Sequence, residues 1–323
     1  MIYLSDEHVS RLKLSWPVVI GAVRETVGLL LENEYVQPVK PYLRYKNKLN
    51  RIIAMPAYVG GTINKSGIKW IASFPGNIAK GLPRANSVTI LNEADTGIPF
   101  CIINTTRISA IRTAGVSGLI AEEYLKRKNA AEETLEVGII GFGPIGEAHL
   151  DMLYQTCFDR IKVIRIYDLR PITLDHLPAE LAAKIELAGS WQQVYESADI
   201  FITCTVSSER YIDRAPKKGS LQLNVSLRDY QPSAFEGMQR IVVDDWEEIC
   251  RENTDIEMMH LQKDLQREET FSLSEHSLET IFDQLASEDV LMFNPMGMAI
   301  FDIAVGWYCY KEAKRRNINI PLD

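Results

Sequence analysis

The chain has 323 residues, a formal net charge of −8 and an apolar content of 46%. That length accommodates two domains of ordinary size, and that apolar fraction is enough to give each a core. The acidic balance argues against nucleic acid or an anionic membrane as the main partner. Cys101, Cys157, Cys204, Cys250 and Cys309 are scattered, with no C-x-x-C pair. Neither a zinc site nor a disulfide framework is indicated, and buried free thiols in a reducing cytoplasm are the simplest expectation. The opening Met1-Ile-Tyr-Leu-Ser-Asp-Glu is acidic and lacks a long apolar core, so it does not read as a signal peptide. The longest apolar tract, Pro295 to Tyr310, is too short to span a bilayer and carries Asp302.

In chain order, residues 1 to about 35 read as an opening strand and an amphipathic helix. Short β-type runs follow: Arg51-Ile-Ile-Ala-Met-Pro, Ser66-Gly-Ile-Lys-Trp-Ile-Ala-Ser, Ser87-Val-Thr-Ile-Leu-Asn and Pro99-Phe-Cys-Ile-Ile-Asn. Gly60-Gly61, Pro75-Gly76 and Asp95-Thr-Gly-Ile-Pro punctuate them, which predicts a mainly antiparallel sheet. Apolar residues then recur at helical spacing from about Ile108 to Lys128, where Lys126, Arg127 and Lys128 suit the negative end of a helix dipole. Beyond that the pattern becomes βαβ, with strands predicted at 135–140, 161–168, 199–204, 221–225 and 240–244. Their apolar character on both faces matches a parallel sheet covered by helices. Met296 to Arg316 reads as a last helix. Because the βαβ series is already complete, this helix is expected to return to the first domain.

The most informative stretch is Gly141-Phe-Gly-Pro-Ile-Gly146. It follows the apolar run Leu135 to Ile140 and precedes a helical pattern from Glu147 to Tyr154. Asp168 closes the next β-like run, 22 residues after Gly146. Strand, tight turn, helix, strand and acid in that order form a dinucleotide fingerprint. Gly141 permits the turn, Gly143 lets the backbone approach a pyrophosphate, and Gly146 allows helix and sheet to pack closely. Pro144 and Ile145 open the helix, whose free N–H groups attract phosphates. A carboxylate at 168 accepts ribose hydroxyls and repels a 2′-phosphate, so NAD is expected over NADP, although Arg170 can soften that repulsion.

Four ionisable residues stand out elsewhere. Lys69 sits within the apolar Ile68-Lys-Trp-Ile-Ala, where strand alternation alone slightly favours an outward side chain. Arg112 lies among small and apolar helix residues, Arg44 belongs to Tyr42-Leu-Arg-Tyr, and Asp229 follows the strand Leu221 to Val225 at the end where α/β sheets place ligands. Converging Arg and Lys side chains bind a carboxylate. Asp229 then holds an amine or activates water. His149, in the helix after the fingerprint, reads as structural.

At these residues the chain resembles the ornithine cyclodeaminase and mu-crystallin family over essentially its whole length. The matching segments are Ser66-Gly-Ile-Lys69-Trp, Ile111-Arg112-Thr113-Ala, Gly141 to Gly146, Thr203-Cys-Thr205, Val242-Val-Asp-Asp and Met296-Gly-Met-Ala-Ile-Phe-Asp302. The resemblance implies an α/β fold: a Rossmann-type NAD domain, residues 118–297, with an α+β substrate-binding and dimerisation domain built from 1–117 and 298–323. It implies that Arg44, Lys69 and Arg112 grip a substrate carboxylate and that Thr113 touches the cofactor phosphates. Thr203 and Met296 would border the dinucleotide, and Asp229 would be the catalytic acid. A homodimer is implied as well.

Val36 to Arg44, Arg51 to Pro56, Ser66 to Ile71 and Asn294 to Ile300 resemble one branch of that family in particular. It uses NAD to cleave N-(2-amino-2-carboxyethyl)-L-glutamate oxidatively to L-2,3-diaminopropionate and 2-oxoglutarate. In the family's cyclodeaminases a Glu just before the Met-Pro segment helps hold the amine of ornithine. Here Ile52-Ile53-Ala54-Met55-Pro56 contains no acid, which disfavours ring closure on ornithine. Ornithine cyclodeaminase, ketimine reductase and a non-catalytic crystallin-like protein are the alternatives. A substrate with three carboxylates needs further cations, for which Lys40, Arg84 and Arg228 are candidates, each more readily read as a surface charge.

Overall fold

The structure, a computed structural model, describes residues 1–127 and 134–322. Its contacts divide the chain into two compact units, Met1–Arg112 with Gly297–Asp323, and Thr113–Met296. The divisions fall at 112/113 and 296/297, where the sequence reading has 117/118 and 297/298.

The chain opens with β1 (Ile2–Ser5), α1 (Asp6–Arg11) and α2 (Trp16–Leu31). It continues through β2 (Tyr35–Val36), β3 (Tyr42–Leu43), β4 (Arg51–Val59), β5 (Lys65–Ser73), β6 (Ala85–Glu93) and β7 (Pro99–Asn104), then enters α3 (Arg107–Arg127). Lys128, expected to help close that helix, lies outside the described residues. Next come β8 (Leu135–Ile140), α4 (Pro144–Cys157), β9 (Ile161–Tyr167), α5 (Ala179–Ala182), β10 (Ile185–Leu187), α6 (Trp191–Tyr195), β11 (Ile200–Thr203) and β12 (Leu221–Asn224). The series ends with β13 (Arg240–Val243), α7 (Trp246–Ile249), α8 (Asp255–Lys263), β14 (Phe271–Ser272), α9 (Leu278–Phe282), β15 (Leu291–Asn294), α10 (Ala299–Arg316) and β16 (Ile320–Pro321).

In the first unit the sheet order is β16-β1-β7-β6-β5-β4-β2, with β3 also on β4. Strands β4 to β7 are antiparallel and β1 runs parallel to β7. Helix α10 packs on β4, β5 and β6 and against α2. This packing decides the direction of Lys69. Its cross-strand partners are Met55 and Thr89, and partners directly opposite share a face. Both are buried, so Lys69 is sealed at 1% exposure while the next residue, Trp70, is 45% exposed. The outward reading of Lys69 is therefore wrong: α10 covers the face that alternation assigned to solvent. Gly67, two residues before Lys69, makes the helix approach possible, because a Cβ there would lie 2.9 Å from the Ile303 side chain and 2.2 Å from the Ile90 carbonyl oxygen. Helix α10 begins at Ala299 rather than Met296, since Gly297 sits at φ +91°.

In the second unit an all-parallel sheet runs β10-β9-β8-β11-β12-β15-β13-β14. Strands β11, β12 and β15 are buried along their whole length. Strand β15, absent from the sequence reading, inserts between β12 and β13, and the short β10 and β14 form the edges. From β8 the chain winds one way to β9 and β10 and the other way to β11 and β12. That reversal opens a crevice beyond the carboxyl end of β8. Cys101, Cys157 and Cys309 are buried free thiols; Cys204 is half-buried as a residue but its thiol is enclosed, whereas Cys250 is only half-buried, which corrects the expectation for Cys250. Among the described residues no helix is long and apolar enough to cross a membrane.

Candidate active site

The fingerprint forms the turn out of β8. Gly141 has φ +85°, and a Cβ there would lie 2.6 Å from the backbone of Cys204. A Cβ at Gly146 would lie 2.2 Å from the Gly141 carbonyl oxygen. Both positions therefore leave no room for a side chain. Gly143 differs: a Cβ there would meet nothing nearer than an Arg170 nitrogen at 3.6 Å, so its face is open to a ligand. It caps α4, with Pro144 and Ile145 in the first turn, leaving the helix N-terminus available to a pyrophosphate. A cleft of about 280 Å³ lies here, lined by Phe142, Gly143, Pro144, Asp168, Arg170 and Thr173 among others.

Asp168, just past β9, accepts a hydrogen bond from the Phe142 N–H at 2.7 Å and from the Arg170 N–H at 2.8 Å. Arg170 adds a 3.3 Å ion pair. Burial by itself would push the Asp168 carboxyl up, but the bonds from Arg170 and Phe142 outweigh it and hold the group below its ordinary value. An ionised acid at the end of β9, a glycine face open to phosphates and a free helix N-terminus together fit NAD. Arg170 is tied to Asp168 even though its side chain is 63% exposed.

Thr203 ends β11 fully buried and donates to Asn224 Oδ1 at 3.2 Å. The Met296 N–H donates to Asp244 at 3.0 Å, and its side chain packs on the core of the second unit. Thr113 is buried in α3. His149 is sealed: its Nδ1–H donates to the Ile145 carbonyl and its Nε2 accepts from Ser117, while burial lowers its pKa to about 4. It is therefore a neutral core residue.

The first unit holds a second constellation. Lys69 Nζ donates to Asp302 Oδ2 at 2.8 Å and to Ser109 Oγ at 3.3 Å. Arg112 Nε stands 3.4 Å from Asp302 Oδ1, close enough for an ion pair but not aligned for a hydrogen bond. Among the described residues no hydrogen bond engages Arg112 Nη1 or Nη2. The guanidinium lies against Gly297, where a Cβ would be 2.5 Å from Nη1. Two cations thus share one buried carboxylate, and the fork of Arg112 remains available to a second. Burial lowers the Lys69 ammonium to about 8; the charge of Asp302 opposes this and that of Arg112 adds to it.

Asp229 lies beyond the carboxyl end of β12 and is fully buried. It accepts from Thr205 Oγ1 at 2.6 Å and from Ser226 Oγ at 2.5 Å. Burial raises its pKa from near 3.8 to about 6, with the charge of Asp255 adding to the rise and the two hydroxyls opposing it. A carboxylate poised there accepts a proton near neutral pH.

The remaining cations sort differently from the sequence reading. Arg44 is exposed with its guanidinium 4.9 Å from the Tyr42 ring, so it is not part of the buried pair. Lys40 is no surface charge: it is 3% exposed and donates to the Gly297 carbonyl at 2.8 Å. Arg84 is half-buried and donates to Ser73 Oγ; Arg228 is half-buried and donates to the carbonyls of Ser226 and Glu252. The surface reading thus fails outright for Lys40, and it overstates the exposure of the other two. Sequence reasoning also missed Asp302 as the counter-ion. Its signals were a lone acid within an apolar tract and its place at the end of the family-like segment Met296 to Asp302, neither of which assigned it a partner.

A glycine turn and ionised acid suited to NAD, at the end of a parallel sheet, define an NAD-dependent oxidoreductase. The profile of the ornithine cyclodeaminase/mu-crystallin family matches residues 5–216, and the chain belongs to that family. It is 32% identical to N-((2S)-2-amino-2-carboxyethyl)-L-glutamate dehydrogenase of Staphylococcus aureus, over 95% of this chain and 93% of that protein. To alanine dehydrogenase of Archaeoglobus fulgidus it is 28% identical, over 99% and 98%. Its fold is that of Thermococcus litoralis Δ1-pyrroline-2-carboxylate reductase, solved with NADH and L-proline: TM-score 0.87 at 22% identity, over the whole of both chains.

Proposed function

We propose that the protein is an NAD-dependent dehydrogenase acting on a CH–NH bond. It converts N-(2-amino-2-carboxyethyl)-L-glutamate, NAD and water to L-2,3-diaminopropionate, 2-oxoglutarate and NADH. The observation that carries this reading is the buried Lys69–Asp302–Arg112 cluster with the open fork of Arg112, in a chain 32% identical to an enzyme of that name.

In this reading the first unit holds the carboxylate next to the reacting carbon through Lys69 and Arg112, with Arg44 as an exposed auxiliary. The second unit holds the dinucleotide through Gly141, Gly143, Pro144, Ile145, Gly146 and Asp168, helped by Thr113, Thr203 and Met296. When bound, NAD would supply the acceptor for the two electrons and proton that leave the Cα–H bond as hydride while Cα–N becomes C=N. Asp229, ionised above about pH 6, takes the proton of the amine or of the water that adds to the resulting C=N bond. Collapse of that adduct returns a proton to nitrogen, splits the C–N bond and leaves the oxo acid on the glutamate carbon. Fixing the carboxylate orients the Cα–H bond, and such positioning lowers barriers by roughly 7–11 kcal/mol in favourable cases.

The family's diaminopropionate-forming reaction serves siderophore or peptide-antibiotic precursor synthesis, and we place this enzyme in such a route. A homodimer formed through the first unit is part of the reading, supported by an open apolar groove of about 370 Å³ that includes Val36, Pro38, Pro56, Tyr58 and Ile68.

The test is net NADH across a panel of N-substituted amino acids, ornithine and cyclic imines. Production with the aminocarboxyethyl-glutamate alone supports the proposal. Proline formed from ornithine without net NADH identifies a cyclodeaminase, NADH consumption with cyclic imines a ketimine reductase, and dinucleotide binding without turnover a crystallin-like protein.

A further inference from the structure

Asp229 stands on a loop that a second buried acid organises. Asp255, the first residue of α8, is 1% exposed. Its Oδ2 accepts from the backbone N–H groups of Asp229 at 3.2 Å and Tyr230 at 3.3 Å, and from Asn224 Nδ2 at 3.0 Å. Its Oδ1 accepts from Arg210 Nε at 2.7 Å. Its own N–H donates to the Leu227 carbonyl at 2.7 Å, inside the loop, where Leu227 holds φ +63°. Arg210 is anchored in turn on Asn253, donating to its carbonyl at 2.7 Å. One carboxylate therefore ties α8, β12 and the loop of Asp229 together, and it places a second negative charge behind the proposed base.

We propose that Asp255, paired with Arg210, is the positioning residue for Asp229, fixing the backbone that carries it and setting a second carboxylate behind it. This rests on the role given to Asp229 above. The groups around Asp229 leave few alternatives for that charge. Thr205 and Ser226 are neutral donors. The Tyr211 hydroxyl and the Cys204 thiol are driven well up, chiefly by burial, and stay neutral. Tyr230 behaves likewise. Among the described residues the charges nearby include Arg228, which donates to the carbonyls of Ser226 and Glu252, and the Asp255–Arg210 pair itself. Like charge across a buried gap disfavours a second ionisation, which is why Asp255 raises Asp229.

The test is the pH profile of kcat/KM in full-length Asp255→Asn and Arg210→Lys. Asn removes the negative charge while Arg210 remains, so the acid limb moves to lower pH. Lys at 210 keeps the charge balance, so its limb stays where the wild type has it. A limb unmoved in Asp255→Asn, or moved equally in both variants, overturns the proposal. If Asp255→Asn does not fold, carboxyl-13C titration of wild-type aspartates decides: Asp255 ionised throughout the Asp229 transition supports the proposal, and a neutral Asp255 at its midpoint overturns it. An acid limb that survives Asp229→Asn is a separate failure, of the role of Asp229 itself.

Discussion

Lys69 Nζ and Asp302 Oδ2 lie 2.8 Å apart with 1% and 0% of their side chains exposed, so the ammonium keeps its charge mainly by virtue of one carboxylate. Burial has already lowered Lys69 to about 8. Removing the anion lowers it further. Asp302→Asn is therefore expected to weaken 2-oxoglutarate binding at pH 7.5 by at least about tenfold, worth roughly 1.4 kcal/mol. Affinity should recover partly at lower pH, where Lys69 regains its proton. Titration calorimetry at two pH values checks this, and equal affinities of variant and wild type at both would contradict it.

Arg112→Ala is expected to lower kcat/KM by more than about a hundredfold, since a buried carboxylate loses a charge-assisted partner. Gly297→Ala provides a gentler probe. Its Cβ would fall 2.5 Å from Arg112 Nη1, at a backbone position of φ +91° that L side chains resist. KM for the substrate should rise several-fold while NAD affinity stays unchanged. Steady-state kinetics beside dinucleotide titration separates the two quantities.

If Asp229 is the base proposed above, it couples activity to stability. Its carboxyl rises from 3.8 to about 6 on folding, first through burial. Between those pH values the folded chain retains a proton that the unfolded chain has released, so on this group's account stability falls as pH rises through the window. At pH 7.5 the buried charge costs about 3 kcal/mol. Asp229→Asn removes that charge at the expense of one mismatched hydroxyl donor, so its Tm at pH 7.5 should equal or exceed that of the wild type while turnover collapses. A Tm well below wild type, measured by calorimetry at pH 7.5, would contradict this account.

In the proposed reading, cofactor choice rests on Asp168. Asp168→Ala should narrow the preference for NAD(H) over NADP(H), because the repelling carboxylate is gone. Arg170→Ala should widen it, since Arg170 now neutralises part of that charge through its 3.3 Å pair. Fluorescence titration with both reduced nucleotides reads each change, and equal wild-type affinities would refute the assignment.

The Rossmann-type unit was legible because its signals are local. Gly141, Gly143, Gly146 and Asp168 lie on two adjacent βα turns, and their spacing follows from the geometry of a single βαβ unit. The clamp was only half legible. Alternation along β5 gives two faces but not which one is covered; α10, more than 200 residues later, settles that for Lys69. Asp302 looked like an interruption of an apolar helix until Lys69 and Arg112 were placed beside it. Strand β15 escaped because a four-residue apolar run before Asn294-Pro295 carries no period of its own. Asp255 carried no sequence signal at all, since its partners come from a loop, a strand and a separate turn.

The central claim is tested most directly by incubating the purified protein with N-(2-amino-2-carboxyethyl)-L-glutamate and NAD while following NADH by absorbance and 2-oxoglutarate by mass spectrometry. One 2-oxoglutarate and one L-2,3-diaminopropionate for each NADH is the predicted result. NADH without an oxo acid, or no NADH at all from this substrate, would contradict it.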